Sequence, residues 1–154
     1  MTKQPSLLAR GIIAFDRLVG PYTYRIHVAV YRGTRGVIGH WSPAGPILLL
    51  TTVGRRTGQK RTNPLVYLHD GERYLVVGSN GGRDRPPAWQ LNLAATPAVE
   101  LQVGRRHVVA DAAILSAEEK VQVWSALVEH NPGWENYQGV TDRMISVIAL
   151  TERR

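Results

Sequence analysis

The sequence predicts an α+β protein that is mainly β: a small barrel of about six antiparallel strands with helices packed outside. Two hairpin signals carry much of that reading, Asp70-Gly71 and Gly104-Arg105, each set between short apolar runs. Single helical patterns fall between the hairpins. The regular strand-helix alternation of a doubly wound parallel sheet is absent.

Along the chain, Leu7, Leu8, Ile12, Ile13, Phe15, Leu18 and Val19 recur at helical spacing, giving an amphipathic N-terminal helix over residues 1–20, stopped by Gly20-Pro21. Arg25 to Tyr31 leads into RGTRGVIGHWSPAGP, a turn-rich connection whose conformation the sequence leaves open. Ile47 to Val53 has the length and composition of a strand. Asn63 to His69 and Glu72 to Ser79 flank the first hairpin turn, so three antiparallel strands follow one another. Pro86 and Pro87 open a helix through Ala95, because proline suits a first helical turn, and Thr96-Pro97 ends it. Val99, Leu101 and Val103 alternate outward to the second turn; Val108, Ala110, Ala112 and Ile114 alternate back. Ser116 followed by Glu119 forms a capping box for a helix to about His130, with Trp124 and Leu127 as core candidates. Met144 to Leu150 reads as a closing strand. No repeat or linker interrupts residues 21–154, which are expected to form a single domain.

Composition narrows the chemistry. With 154 residues, 44% of them hydrophobic, the chain can bury one substantial core. The absence of cysteine removes disulfides, thiolate nucleophiles and sulfur-ligated metals. Five histidines, His27, His40, His69, His107 and His130, are scattered with no HExxH, nucleophile elbow or clustered acids, so they read as surface or core filling and no metal site is expected. No signal peptide or spanning segment is recognisable, which makes a cytoplasmic location the expectation. The formal charge of +7 points to an anionic partner. Nucleic acid fits poorly, because aromatics are few and most cations are interleaved with acids. Redox chemistry would need a borrowed cofactor, and no dinucleotide fingerprint is present.

Two loops stand out. GRRTGQKRTNPL, Gly54 to Leu65, sets Arg55, Arg56, Lys60 and Arg61 between two strands without an acid. Guanidinium forks match phosphate or carboxylate oxygens, so the loop reads either as a site for an extended anion or as a solvated turn. GSNGGRDRPPAW, Gly78 to Trp89, also leaves a strand and enters a helix, where free amides favour anions. Gly81-Gly82 reads equally well as a turn that needs positive φ. Convergence of the two loops on one barrel end would make a groove.

At these loops the chain resembles a known family. LLTTVGRRTGQKRTNPLVYLHDGERYLVVGSNGGRDRPPAWQLNLAATPAVELQV, followed by WENYQGVTDRMISVIAL, is similar to the actinobacterial deazaflavin-dependent nitroreductases and F420H2-dependent quinone reductases. The ordered set GRRTGxxRxxPL, SNGGxxxxPAWxxNLxAxP and YxxxTxR carries the resemblance from about Ile47 to Leu150. It implies a split β-barrel that binds coenzyme F420, whose phosphodiester and glutamate tail make it an extended polyanion. The reduced coenzyme would deliver hydride to an electron-poor acceptor such as a quinone, conjugated enone or nitro compound.

The same resemblance assigns site residues. Arg56 and Arg61 match phosphate contacts, with Arg55, Thr57, Gly58 and Gln59 completing that loop; Pro64 and Val66 match positions along the deazaflavin ring. Ser79, Asn80, Gly81, Gly82, Ala88 and Trp89 match the rest of the pocket, although Trp89 reads equally as core. Tyr137 and Ser79 are the catalytic candidates, and Trp134, Tyr137 and Val140 the substrate wall. Two departures matter: Asn80 stands where the best-known type has lysine, and only Tyr137 remains of a tyrosine-rich substrate side, which favours bulky quinones or enones over nitroimidazoles. An FMN enzyme on the same barrel, or a noncatalytic cofactor or lipid binder, stays open as an alternative. The N-terminal helix has two open readings: docking on an anionic membrane surface, or packing on the barrel or on a second subunit of a homodimer.

Overall fold

The computed structural model describes Gly20 and residues 22–154. The expected N-terminal helix, apart from Gly20, lies outside the described residues. The first helix described, α1, covers residues 22–33, most of it in a stretch, Arg25 to Tyr31, to which the sequence assigns no element. The strands are β1 (Trp41–Ser42), β2 (Gly45–Val53), β3 (Lys60–Asp70), β4 (Arg73–Val77), β5 (Ala98–Val103), β6 (Arg106–Ile114) and β7 (Val147–Glu152). Helix α2 (Ala88–Ala95) separates the two hairpins; α3 (Ala117–His130) and α4 (Gly133–Gln138) separate β6 from β7.

Six strands form a closed antiparallel barrel in the order β2-β3-β4-β7-β6-β5, with β5 returning to β2 and β1 appended to β2. The closing register is Leu49 with Gln102, Leu50 with Leu101 and Thr51 with Glu100. β7, the last strand in chain order, lies between β4 and β6. This is the antiparallel barrel that the hairpins and interspersed helices predict, and the split barrel that the family resemblance implies.

Strand periodicity sorts neighbouring residues into different cores. Leu48, Leu50, Tyr74, Val76, Val99, Leu101, Ala110, Ile148 and Leu150 pack together inside the barrel, and Trp89 and Leu93 of α2 complete that cluster. The intervening Leu75, Val77, Val147 and Ala149 belong to an outer cluster with Leu127 of α3 and Trp134 of α4. Ile47 and Leu49 pack outward against Tyr31 of α1. The continuous run Ile47 to Leu50 is therefore apolar because β2 is buried on both faces.

Tyr31 explains why α1 sits where it does. Its side chain is fully buried, and its hydroxyl donates to the Ile47 carbonyl at 3.0 Å while accepting the Gly104 amide at 2.8 Å. One phenol thus bridges β2 and the β5–β6 turn, and burial raises its pKa. The α3 capping box is as the sequence predicts, with Ser116 Oγ accepting the Glu119 amide at 3.2 Å and Glu119 Oε2 accepting the Ser116 amide at 2.8 Å.

The remaining differences are at element ends. β4 stops at Val77 rather than Ser79, because Ser79 caps the tight 3-10 turn Asn80–Gly82 that follows. Helix α2 begins at Ala88, with Pro87 in extended conformation as its N-cap. β7 begins at Val147 rather than Met144, since the Ile145 amide donates to Gln138 Oε1 and the Ser146 carbonyl accepts from Gly78. The short α4 went unforeseen. Among the described residues no helix is long and apolar enough to cross a membrane.

Replacing Tyr31 with Phe keeps the ring but leaves the Gly104 amide and the Ile47 carbonyl without this partner. The expected loss is about 1 to 3 kcal/mol, read as a lower urea midpoint with unchanged slope. A wild-type midpoint would show that the bridge contributes nothing.

Candidate functional site

The first loop is shaped by its own backbone. The Gly54 carbonyl accepts from Thr57 and Gly58 at 3.2 and 2.8 Å, and the Gly54 amide donates to Gln59 O at 2.8 Å. Its root is tied to α2 through Asn92, which is buried. Asn92 Oδ1 accepts from the Arg55 amide at 3.2 Å and from Arg55 Nη1 at 3.3 Å, while its Nδ2 donates to Thr52 Oγ1 at 3.2 Å.

That loop forms one bank of a groove of about 810 Å³. Arg55, Arg56, Lys60 and Arg61 line it from the loop side, Arg25 and Arg32 from α1, and among the described residues no carboxylate lines it. Ala88 and Trp89 also line it, so Trp89 serves both the barrel core and the groove. Lys60 is paired with Glu100 of β5, Arg61 donates to Gln59 Oε1 at 3.0 Å, and Arg32 donates to Thr62 Oγ1 at 3.0 Å. The side chains of Arg25 and Arg56 make no hydrogen bond or ion pair among the described residues. Six cations around one groove hold a positive field that an extended anion would relieve.

β3 changes partners along its length. Residues 60–66 pair with β2, and residues 67–70 pair with β4. Over the first stretch β3 has one neighbouring strand, and Pro64 lies within it. A residue without an N–H is tolerated where one edge of a strand is unpaired. Val66, near the switch of partners, is half-buried against the two outer clusters.

The second loop runs through three successive positive φ values: Asn80 at 48°, Gly81 at 63° and Gly82 at 73°. Asn80 Nδ2 steadies it by donating to the Arg85 carbonyl at 2.8 Å. Arg143 ties the loop together, because its Nη2 donates to the carbonyls of Gly78 at 3.1 Å and Ser79 at 3.0 Å and its Nε to that of Arg83 at 3.2 Å. Burial lowers the Arg143 pKa, with Asp84 opposing the shift. A Cβ on Gly82 would lie 2.5 Å from Val140 Cγ2 and 3.1 Å from the Tyr137 carbonyl oxygen. The loop is therefore pressed against the end of α4.

The predicted residues fall into two assemblies. Arg55, Arg56, Thr57, Arg61, Ala88 and Trp89 share the groove, with Gly58 and Gln59 in its loop. Ser79, Asn80, Gly81 and Gly82 form the other assembly, with Tyr137 and Val140 beside them, 41% and 44% exposed. Trp134 does not join them: it is 5% exposed, packs in the outer core and stacks on His130 at 6.3 Å. Arg25, Arg32 and Arg143 are additions that sequence reasoning missed. Arg143 stands within YxxxTxR, and Arg25 and Arg32 are seven residues apart, the spacing of one helix face. Among the described residues no group of three or more His, Asp or Glu could hold a metal ion.

Residues 23–152 match the family model described as F420H(2)-dependent quinone reductase. An F420H(2)-dependent quinone reductase of Mycobacterium tuberculosis (strain ATCC 25618 / H37Rv) is 43% identical over 142 residues, 90% of this chain and 95% of that protein. Among solved structures, an F420-H2 dependent reductase is 37% identical with a TM-score of 0.63, covering 68% of this chain and 93% of its own. A second, described as a domain-swapped dimer, is 34% identical with a TM-score of 0.66, covering 82% of this chain and 93% of its own.

Two neighbouring substitutions separate backbone strain from crowding in the second loop. A Cβ on Gly81 meets nothing within 4 Å, so Gly81→Ala should cost only the positive-φ strain, about 1 to 2 kcal/mol. Gly82→Ala adds the clash with Val140 and should cost about 1 to 3 kcal/mol more. Urea midpoints of the two variants check this, and equal midpoints would refute the close packing of the loop on α4.

Proposed function

The chain belongs to the F420H(2)-dependent quinone reductase family, and on that premise we propose that it reduces a quinone with hydride from reduced coenzyme F420. The observation that carries this reading is the groove that, among the described residues, is lined by six cations and no carboxylate, with Trp89 among its lining residues. Those residues fit a coenzyme that joins a planar ring to an extended polyanion. When bound, the reduced coenzyme supplies the hydride.

The protein's share is binding, orientation and proton management. Arg56 and Arg61 hold the phosphodiester, with Arg55 and Thr57 to Gln59 fixing the loop that presents them. Pro64 and Val66 flank the ring along the part of β3 that has a single neighbouring strand. Ser79 to Gly82, Ala88 and Trp89 complete the pocket wall. The strained second loop suits this task because Arg143 and Gly82 hold it against α4 at a defined distance, a rigid support of the kind a binding site needs. Tyr137 and Val140, exposed beside that loop, form the acceptor side. The Tyr137 hydroxyl, or that of Ser79, orients the acceptor oxygen and supplies its proton.

Fluorescence titration under anaerobic conditions should show tight binding of F420 and much weaker binding of FMN, whose shorter anion leaves part of the groove unused. Equal affinities would refute the assignment of the coenzyme. The Arg56→Ala/Arg61→Ala variant should weaken F420, each charge-assisted contact being worth about 1.5 to 3 kcal/mol and less where water screens it.

Stopped-flow oxidation of the bound reduced coenzyme by menadione tests Tyr137 separately. Tyr137→Phe should slow that step about 100-fold or more if the hydroxyl is the proton donor, with coenzyme affinity unchanged. A wild-type rate would remove Tyr137 from the chemistry and leave Ser79 as the candidate.

A further inference from the structure

We propose that Arg25 and Arg32 form a second bank of the groove that holds carboxylates of the coenzyme's glutamate tail, making α1 the element that determines how much the tail adds to affinity. The proposal rests on the F420 reading above. Both arginines line the groove. Seven residues along a helix is nearly two full turns, so the two guanidinium groups start from one face of α1 with roots about 10 Å apart. That is an extended pair, suited to successive carboxylates rather than to a single anion.

Their backbone is fixed in place. Tyr31 anchors α1 to β2 and to the β5–β6 turn, and His27 Nε2 lies 2.7 Å from the Gly39 carbonyl oxygen. Arg32 is steered further by Thr62 Oγ1, which is itself 2.7 Å from Thr51 Oγ1. Arg25 is exposed and uncommitted among the described residues. Arg56 and Arg61, on the loop side, are the partners of the phosphodiester. A separate set of cations from α1, with no acid among the described residues that line the groove, calls for further negative charge on the same ligand. Simple hydration of two surface arginines is the competing account, and the two differ in what they predict for tail length.

Guanidinium accepts phosphate and carboxylate alike, so the test compares ligands that differ only in the tail. Wild type and Arg25→Gln/Arg32→Gln are titrated by fluorescence with long-tailed F420 and with its tail-less precursor, at low and high salt. Exposed ion pairs are weak, so the two together should make wild type prefer the long tail by up to about thirtyfold at low salt, and salt should erase that preference. The double variant should bind both ligands alike, with affinity for the tail-less precursor retained. A long-tail preference that survives in the variant, that is absent in wild type, or that ignores salt would overturn the proposal. Equal weakening of both ligands would overturn it too, by placing the arginines on the phosphodiester. If wild type binds neither ligand, it is the coenzyme reading itself that falls. Arg25→Lys/Arg32→Lys guards against a folding defect: with charge kept, it should retain part of the long-tail preference, and complete loss in that variant would count against the proposal.

Discussion

Closure of the sheet by β5 on β2 is the constraint from which the other features follow. Once Leu49 to Thr51 are paired with Glu100 to Gln102, β2 has its other edge taken by β3, and its side chains divide between barrel interior and exterior. β3 is longer than that pairing and passes its remainder to β4. The first loop, between β2 and β3, is then held near the rim. The same closure carries Lys60 to Glu100, so one of the loop's cations is compensated within the protein and the rest face the groove.

Cations serve two purposes in this molecule, and burial separates them. Arg143 is partly withdrawn from water and spends its donors on main-chain carbonyls, so its charge acts as a clamp on the second loop. The groove arginines are largely solvated and keep donors available. Asn92 belongs with the clamp, since it is a neutral side chain that joins α2, β2 and the root of the cationic loop. Rigid supports beneath exposed charges are an arrangement that keeps the ordering cost of binding an extended anion low.

Much of this was legible because it is encoded locally. Asp70-Gly71, Gly104-Arg105, the Ser116–Glu119 box and the alternation after Val99 each specify their element within a few residues. The cationic loop was legible for the same reason. What escaped is held by distant partners. Residues 22–33 are rich in exposed side chains and are placed by Tyr31, whose partners belong to β2 and the β5–β6 turn. Arg25 and Arg32 reach the groove only because of that placement. Trp134 looks like a neighbour of Tyr137 in sequence, yet helical geometry turns it to the buried face. The ends of β4 and β7 moved because Ser79 caps the tight turn of the second loop and the Ile145 amide is taken by Gln138 instead of a strand.

The position of β7 has a consequence for how the chain is made. It is the last of the six barrel strands in chain order, yet it fills the gap between β4 and β6. Until it emerges from the ribosome, both of those strands present long unpaired edges, the kind of surface on which nascent chains join to one another. The barrel therefore cannot be completed progressively from its beginning. Early hairpins must wait for a distant segment, and the sequence separation of that last pairing makes its arrival slow. Between the emergence of β6 and the docking of β7, the edges of β4 and β6 that β7 later covers are open to pairing with other chains.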